Sequence, residues 1–509
     1  MSHENRYTSN HPPSTRPLTT SFRVTLRCRS PVSRISVEIL CSIFSFSKSD
    51  LRPHLGSFDV HRQNISILRL TAVCRYWRSV AIDYAILWRN IAFTTTALHT
   101  IDCATIFLQR SKGTPLYVHI WDIPRPGHLH SHKPPRDVLA HLLSLISSQR
   151  NRIVLLELME PSTHLFDAFR GPAENVSRLI VHGRTPIKRS DTFSAKFPNV
   201  QQITLISPTP CRLGTLASLT QVILHNGSRG WNIDAFLDCV DGCSSLRSLS
   251  IVRYLDFDQG RNSTKTVSLP SLVSIRLDTC DAATILSHLD LPTTVSVSIC
   301  INTRHAPGNF DNIFSCMPSE ITRVNFLQNT RSLTLVFDKA HGDFHVSGFN
   351  GATPVFLLQV CGPLVMLDDD WVRRSFAAAT QTLPFSGITS LTLVAESTSI
   401  PWESWLCRFC HLTTLDARCT DLKGLAEALN CAENDVTLCP TLKDLSIEVP
   451  RRSWFRHENL LESAILLRKA SGSALSSLTV NADEWKDTRR LNPTWACLVR
   501  REGLWLNLP

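Results

Sequence analysis

The 509-residue sequence has no apolar run long enough to cross a bilayer. Its longest candidate, residues 355–367, is interrupted by Gln359 and Pro363 and then meets Asp368, Asp369 and Asp370. A span needs roughly 18 uninterrupted apolar residues, so this run reads as a buried strand or helix of a core and no membrane is expected as a partner. A secretory h-region is also lacking. The 17 cysteines are odd in number and scattered singly through apolar stretches, which reads as reduced thiols in a cytoplasmic and/or nuclear protein. Clustered Lys and Arg are missing from the part expected to fold. Half of the net charge of +10 sits in residues 1–36, where six arginines face the single acid Glu4, so nucleic acid is not an expected partner. This tail is rich in Ser, Thr and Pro, and Pro12, Pro13 and Pro17 oppose the amphipathic helix of a transit peptide. Residues 1–33 therefore read as a disordered basic arm.

Motifs of catalysis are lacking too. Neither a phosphate-cradling Gly-x-x-x-x-Gly-Lys-Ser/Thr nor a Gly-x-Ser-x-Gly elbow occurs. Cys407, Cys410 and His411 fit the Cys-x-x-Cys-His form of haem attachment, but that chemistry belongs to oxidising compartments, and residues 411–415 read as part of a strand. Cys431 and Cys439 are the nearest further ligands for a zinc site, and their spacing is not ligand-like. His128, His130 and His132 lie in a Pro-rich stretch from Pro124 to Pro135, which reads as a linker. No cofactor or metal is expected, and no enzyme.

What the sequence has in quantity is a recurring trio: an apolar residue, two variable, an apolar, one variable, an apolar. It appears as Ile153, Leu156, Leu158; Val176, Leu179, Val181; Val200, Ile203, Leu205; Leu219, Val222, Leu224; Leu246, Leu249, Ile251; and Leu272, Ile275, Leu277. It returns from Ile388, Leu391, Leu393 to Leu475, Leu478, Val480. In the first set the last members are 23, 24, 19, 27 and 26 residues apart, within the 20 to 29 of a leucine-rich repeat. Such a trio makes a short strand with alternate residues buried, covered by a helix or irregular segment. The pattern predicts an α/β fold, an irregular leucine-rich-repeat-like solenoid of parallel strands over residues 136–490, with a helix from Asp137 to Ile146 ahead of its first strand. The 58 residues from Leu335 to Leu393 leave room for one degenerate repeat and insertions.

The N-terminal region has a helical period instead. Val37, Leu40, Cys41 and Phe44 share one face, with Ile39, Ile43 and Phe46 on the other. A helix this short and apolar all round cannot leave one side wet. A second stripe runs through Leu70, Val73, Cys74, Trp77, Ala81 and Tyr84, and a polar loop with Pro53 and Gly56 is expected between them, from Ser47 to Asn64. About 60 residues make a marginal core, so this pair needs a partner, an adjoining domain or both.

The ordered identities Ile35, Glu38, Ile39, Leu40, then Cys74-Arg75-Tyr76-Trp77-Arg78, then Leu87-Trp88, resemble the F-box. Ser36 stands where that family usually has proline, and can cap the helix. The stretch from Ala97 to Leu116 is similar to the segment C-terminal to the box in F-box-like proteins abundant in mushroom-forming fungi. The resemblance implies a short helical module that docks on a Skp-family adaptor and through it on a cullin. Ile35, Val37, Ile39, Leu40, Ile43, Phe44, Leu70, Val73, Trp77 and Trp88 would form or support the adaptor-binding surface. The implied organisation is a module over 34–93, a connector over 94–135 with one helix and a strand at Leu116 to Trp121, the repeats over 136–490 and a tail over 491–509. The implied function is the substrate-recruiting subunit of a Skp-cullin-F-box ubiquitin ligase, whose target protein the sequence does not name. The alternative is a repeat scaffold whose N-terminal helices serve only as a cap.

Overall fold

The computed structural model describes residues 34–49, 58–94, 100–121, 136–159, 171–183, 191–208, 211–225, 231–252, 263–279, 281–302, 311–318, 325–338, 343–361, 369–395, 400–419, 421–430, 432–433, 436–449, 451–482 and 505–507. The expected arm over 1–33, the Pro-rich stretch from Pro124 to Pro135, and Cys431 lie outside these residues. So does most of the expected C-terminal tail.

Three helices open the fold: α1 (Val37–Ser49), α2 (Phe58–Ala72) and α3 (Arg75–Asp83). This corrects two expectations. The stripe from Leu70 to Tyr84 is two helices, broken where Cys74 turns extended and its sulfur accepts the Trp77 N–H at 3.4 Å as the cap of α3. The expected loop is largely helical, since α1 runs through Ser49 and α2 begins at Phe58. A polar surface made this amphipathic helix look like a loop. Helices α4 (Thr100–Arg110) and α5 (Arg136–Ser148) come next, where one helix of the connector and the helix ahead of the repeats were expected.

The strands are β1 (Asn90–Thr94), β2 (Leu116–Trp121), β3 (Ile153–Met159), β4 (Arg178–His182), β5 (Gln202–Ile206), β6 (Gln221–His225), β7 (Ser248–Val252), β8 (Val267–Ser268), β9 (Ser274–Asp278), β10 (Leu289–Asp290) and β11 (Ser296–Asn302). They continue as β12 (Ser332–Asp338), β13 (Asp343–Asn350), β14 (Thr353–Cys361), β15 (Ser390–Ala395), β16 (Thr414–Cys419), β17 (Ala432–Glu433), β18 (Val436–Thr437), β19 (Asp444–Val449), β20 (Ser477–Ala482) and β21 (Trp505–Asn507). Seventeen of them form one mostly parallel sheet; β8 with β10 and β17 with β18 make two small pairs.

In the large sheet, β1 through β7, then β9 and β11, lie side by side in chain order, all parallel. The sequence trios explain the register. Leu156, Leu179, Ile203, Val222, Leu249 and Ile275 stand opposite one another in successive strands, as do Leu158, Val181, Leu205, Leu224, Ile251 and Leu277. All are buried. The first member of each trio ends a tight turn, as when Val200 N–H reaches the Phe197 carbonyl and Leu246 that of Cys243. The residue after it donates to its counterpart one strand back: Gln201 to Ser177, Thr220 to Gln201, Arg247 to Thr220, Val273 to Arg247. Turn, ladder and buried row repeat together, so backbone polar groups are satisfied wherever the apolar row advances.

Between β11 and β15 the order changes to β11, β14, β13, β12, β15, with β13 antiparallel to both neighbours. The expectation of parallel strands throughout is corrected here. The chain crosses from β11 to the far position as β12, returns through two hairpins to β14 beside β11, and crosses again to β15 beside β12, so the stretch from Leu335 to Leu393 holds two antiparallel-paired strands and a 14-residue helix, Asp369–Thr382. The buried row still passes through, from Leu358 to Val346 to Leu335 to Leu393. The neighbouring row passes through Gly348, where a Cβ would lie 2.1 Å from Phe356 Cε1. The ring of Phe356 fills the space a side chain would take. Gly348→Ala is expected to cost about 1–3 kcal/mol by overpacking, read as a lower urea midpoint of unfolding.

From β15 onward the chain order resumes through β16, β19, β20 and β21, all parallel. Trp505–Asn507 thus pairs as the last strand, within residues expected to be a tail. Helices cover the apolar side. Helix Ile233–Val240 buries Ile233, Phe236, Leu237, Cys239 and Val240. Phe376 of the 14-residue helix stacks edge-on against Trp405 at 4.8 Å and lies 4.9 Å from Phe337 of β12. One hydrophobic core runs from Leu40 to Val480. No helix among the described residues is long and apolar enough to cross a membrane.

Candidate docking surface

Helix α1 is built by its cap and its two faces. Ser36 Oγ accepts the Ile39 N–H at 3.4 Å and the Ser36 carbonyl accepts that of Leu40 at 3.1 Å, so serine does the work expected of it at this position. Glu38 sits in the first turn, and its carboxyl is held below the ordinary range by its own backbone N–H and by the Ser36 hydroxyl. Leu40 and Phe44 are fully buried, with Cys41 half-buried beside them; Phe44 meets Trp77 edge-on at 5.4 Å. Tyr76 donates to the Ile35 carbonyl at 2.9 Å, and the hydroxyls of Ser45 and Tyr84 meet at 2.9 Å. These contacts lock α1 onto α3 and fix which face of α1 points outward.

The outward face is apolar. Val37, Ile39, Ile43 and Phe46 are exposed, Ile39 by 56 % and Phe46 by 76 %. Val73, in the break between α2 and α3, is exposed by 55 %, and Ile65, Leu68 and Ile86 are exposed as well. Eight of the twelve exposed large apolar side chains among the described residues lie between positions 37 and 94. A wet apolar patch concentrated in one small module marks an interaction surface.

The module is anchored from below. Trp88 is fully buried, donates its indole N–H to the Ala81 carbonyl at 2.7 Å, packs edge-on against Phe107 at 5.0 Å and carries the Arg110 guanidinium 4.4 Å above its ring. Asn64 donates to the Ala92 carbonyl at 3.0 Å, tying α2 to β1. Strand β1 then continues in register into β2, Ile91 opposite Val118 and Phe93 opposite Ile120.

Residues 37–94 match the F-box-like family model. The match begins at the first residue of α1 and ends at the last of β1, so the F-box-like domain comprises the three helices and the first strand of the sheet. No curated protein matches the chain.

The residues expected on the adaptor surface, all but Ile35 within the F-box-like domain, divide into three groups. Val37, Ile39 and Ile43 are exposed on α1, and Val73 in the α2–α3 break; Ile35, Leu70 and Trp77 are half-buried; Leu40, Phe44 and Trp88 lie in the interior. Phe46 of α1, with Ile65, Leu68 and Ile86, is also exposed, and none of the four was among the expected site residues. Ile65 and Leu68, spaced i and i+3, carried a helical signal, which the surrounding polar residues masked.

A second region is the polar side of the sheet, where residues between the buried rows point. Glu157 on β3 sits between His119 of β2 and His182 of β4, accepting from His119 Nδ1 and, at 2.7 Å, from His182 Nε2. Burial alone would raise its carboxyl, but the two histidine hydrogen bonds and charges outweigh it and hold the group from an ordinary 4.5 down to about 2. A depressed carboxyl contributes stability that is present above pH 4.5 and lost as pH falls toward 2; the whole contribution is on the order of 3 kcal/mol. Glu157→Gln is therefore expected to unfold with a shallower acid dependence over that window, checked by urea midpoints taken from neutral pH down to about pH 3.

The Cys-x-x-Cys-His motif comes directly after the short helix Trp402–Leu406. Cys407 and Cys410 are exposed rather than buried, and Cys407 donates to the Ser404 carbonyl at 3.1 Å. His411 lies in the turn before β16, which starts at Thr414, and not in the strand as expected. The Cys439 thiol donates to the Leu406 carbonyl at 3.2 Å. Among the described residues no group of three or more His, Cys, Asp or Glu side chains could hold a metal ion.

Proposed function

We propose that this chain is the substrate-recruiting, non-catalytic subunit of a Skp-cullin-F-box ubiquitin ligase. The observation that carries the reading is the coincidence of the family match with the exposed apolar patch of α1, α2 and the α2–α3 break. The adaptor covers Val37, Ile39, Ile43 and Val73, while Leu40, Phe44, Leu70, Trp77 and Trp88 hold that surface in shape. The spacing of the trios and the in-register rows of β3 to β7 and β9 support a leucine-rich-repeat-like solenoid, interrupted by the antiparallel stretch of β13. The target protein binds on the polar side of its strands. Ubiquitin transfer then results from tethering, which raises the effective concentration of target lysines beside a charged carrier and asks no acid, base or metal of this chain.

One observation favours a second role for the same module. Because β1 extends the sheet and Trp88 joins the common core, the F-box-like domain also caps the apolar end of the strand stack. Docking would use exposed side chains and capping buried ones, so the two are compatible.

Co-expression with a Skp-family adaptor and its cullin, and then size-exclusion chromatography, tests the reading. The three chains are expected to co-elute, and Val73→Asp is expected to remove the adaptor and the cullin together. Elution of this chain alone, under conditions where another F-box protein carries the adaptor, would leave the capping role as the account of the module.

A further inference from the structure

Two thiols meet on the sheet where the parallel order gives way to the antiparallel stretch. Cys300 of β11 and Cys361 of β14 lie 61 residues apart in sequence, with their sulfurs 3.4 Å apart and both side chains partly accessible. We propose that Cys300 and Cys361 form a dithiol that closes to a cross-strand disulfide under a hydroperoxide oxidant, stapling β11 to β14. Such closure is independent of adaptor docking.

The geometry favours closure and also reversal. A disulfide bond is about 2.0 Å long, so the sulfurs need approach by only a little over 1 Å, but diagonal neighbours on adjacent strands stand roughly 7–8 Å apart at Cα, so closure also draws the two backbones together locally. The residues are not directly opposed: Cys300 faces Gln359, and Cys361 faces Asn302. The side chains therefore lean toward each other across a two-residue offset, and a bond made there carries strain that makes it easier to reduce. A reducible bond of this kind suits a compartment where structural disulfides do not persist.

The reaction balances. One sulfur attacks a peroxide oxygen, the O–O bond breaks, and a sulfenic acid forms with release of an alcohol or water. The second sulfur attacks the sulfenic sulfur and expels hydroxide, which takes the remaining thiol proton and leaves as water. Two thiols lose two electrons to one hydroperoxide. Burial, then the hydrogen bond to Cys361 and the nearby charges, with Asp278 raising and Arg276 opposing, push the Cys300 thiol up to about 12. The first oxidation is thus slow at neutral pH, and the neighbouring sulfur decides whether the sulfenic acid is captured before it oxidises further.

The closed bond holds the last strand of the antiparallel stretch to the parallel strands before it, so the expected consequence is a higher midpoint of thermal unfolding that dithiothreitol reverses. The test is peptide mapping by mass spectrometry on the full chain treated with hydrogen peroxide, after alkylation of the remaining thiols. A Cys300–Cys361 linked peptide, two hydrogens lighter than its parts and sensitive to dithiothreitol, is expected as the main product of these two cysteines. In Cys361→Ser, Cys300 is expected to stop at a sulfenic acid that dimedone traps. Recovery of both cysteines alkylated, separately over-oxidised, or linked to other cysteines in comparable yield would overturn the proposal. The wild-type map alone decides if the variant does not fold.

Discussion

Trp88→Ala is expected to lower the stability of the chain by about 3–5 kcal/mol, the range for removing a fully buried large aromatic. Three losses coincide at this one side chain. The cavity opens in the core between α3 and α4, the edge-on contact with Phe107 disappears, and the Ala81 carbonyl loses the indole donor that it accepts at 2.7 Å. Arg110 also loses the ring beneath its guanidinium. Because Trp88 stands just before β1, the damage falls on the joint between the F-box-like domain and the sheet. Urea unfolding monitored by circular dichroism measures the loss, and hydrogen exchange locates it: amides of α1 to α3 and of β1 and β2 are expected to lose protection first. A loss below 1 kcal/mol would mean that the joint does not depend on this residue.

How far the sequence could be read depends on which signals are local. The period-2 trios marked β3 to β7 and β9 because each strand's inner row is apolar, so local pattern and long-range pairing agree. The same reasoning failed between Leu335 and Leu393. The residues of β12, β13 and β14 alternate just as well in antiparallel as in parallel pairing, and nothing local says that β14 goes next to β11. In the helical module, the buried face of α1 was legible from Leu40 and Phe44, and its cap from Ser36. The start of α2 at Phe58 was not, since a helix covered mainly by polar residues has the composition of a loop. The pattern set Ile39, Ile43 and Phe46 opposite Leu40 and Phe44 but grouped the exposed Val37 with the inner face, and it could not say which apolar face stays uncovered: a docking surface is by nature an apolar face that the folded chain leaves wet. The sulfur pair of Cys300 and Cys361 was invisible for a different reason, because strands distant in sequence bring it together.

Ile39→Asp separates the surface from the fold more cleanly than any other substitution. Ile39 is exposed by 56 %, so its loss removes little from the core, and position 39 lies in the first turn of α1, where an added carboxylate suits the helix dipole. Stability is expected to stay within about 0.5 kcal/mol of the wild type. Against a partner that buries this face, the same carboxylate must be desolvated without a counter-charge, which costs several kcal/mol and weakens binding about 100-fold or more. The contrast with Trp88→Ala is the core of the account: one change spares folding and removes docking, the other damages the fold beneath the surface. The most direct measurement is a calorimetric titration of purified full-length chain with a purified Skp-family adaptor, wild type beside Ile39→Asp, with circular dichroism on both. Binding by the wild type and its loss in the well-folded variant is the predicted result; equal binding by both, or none by the folded wild type, would contradict it.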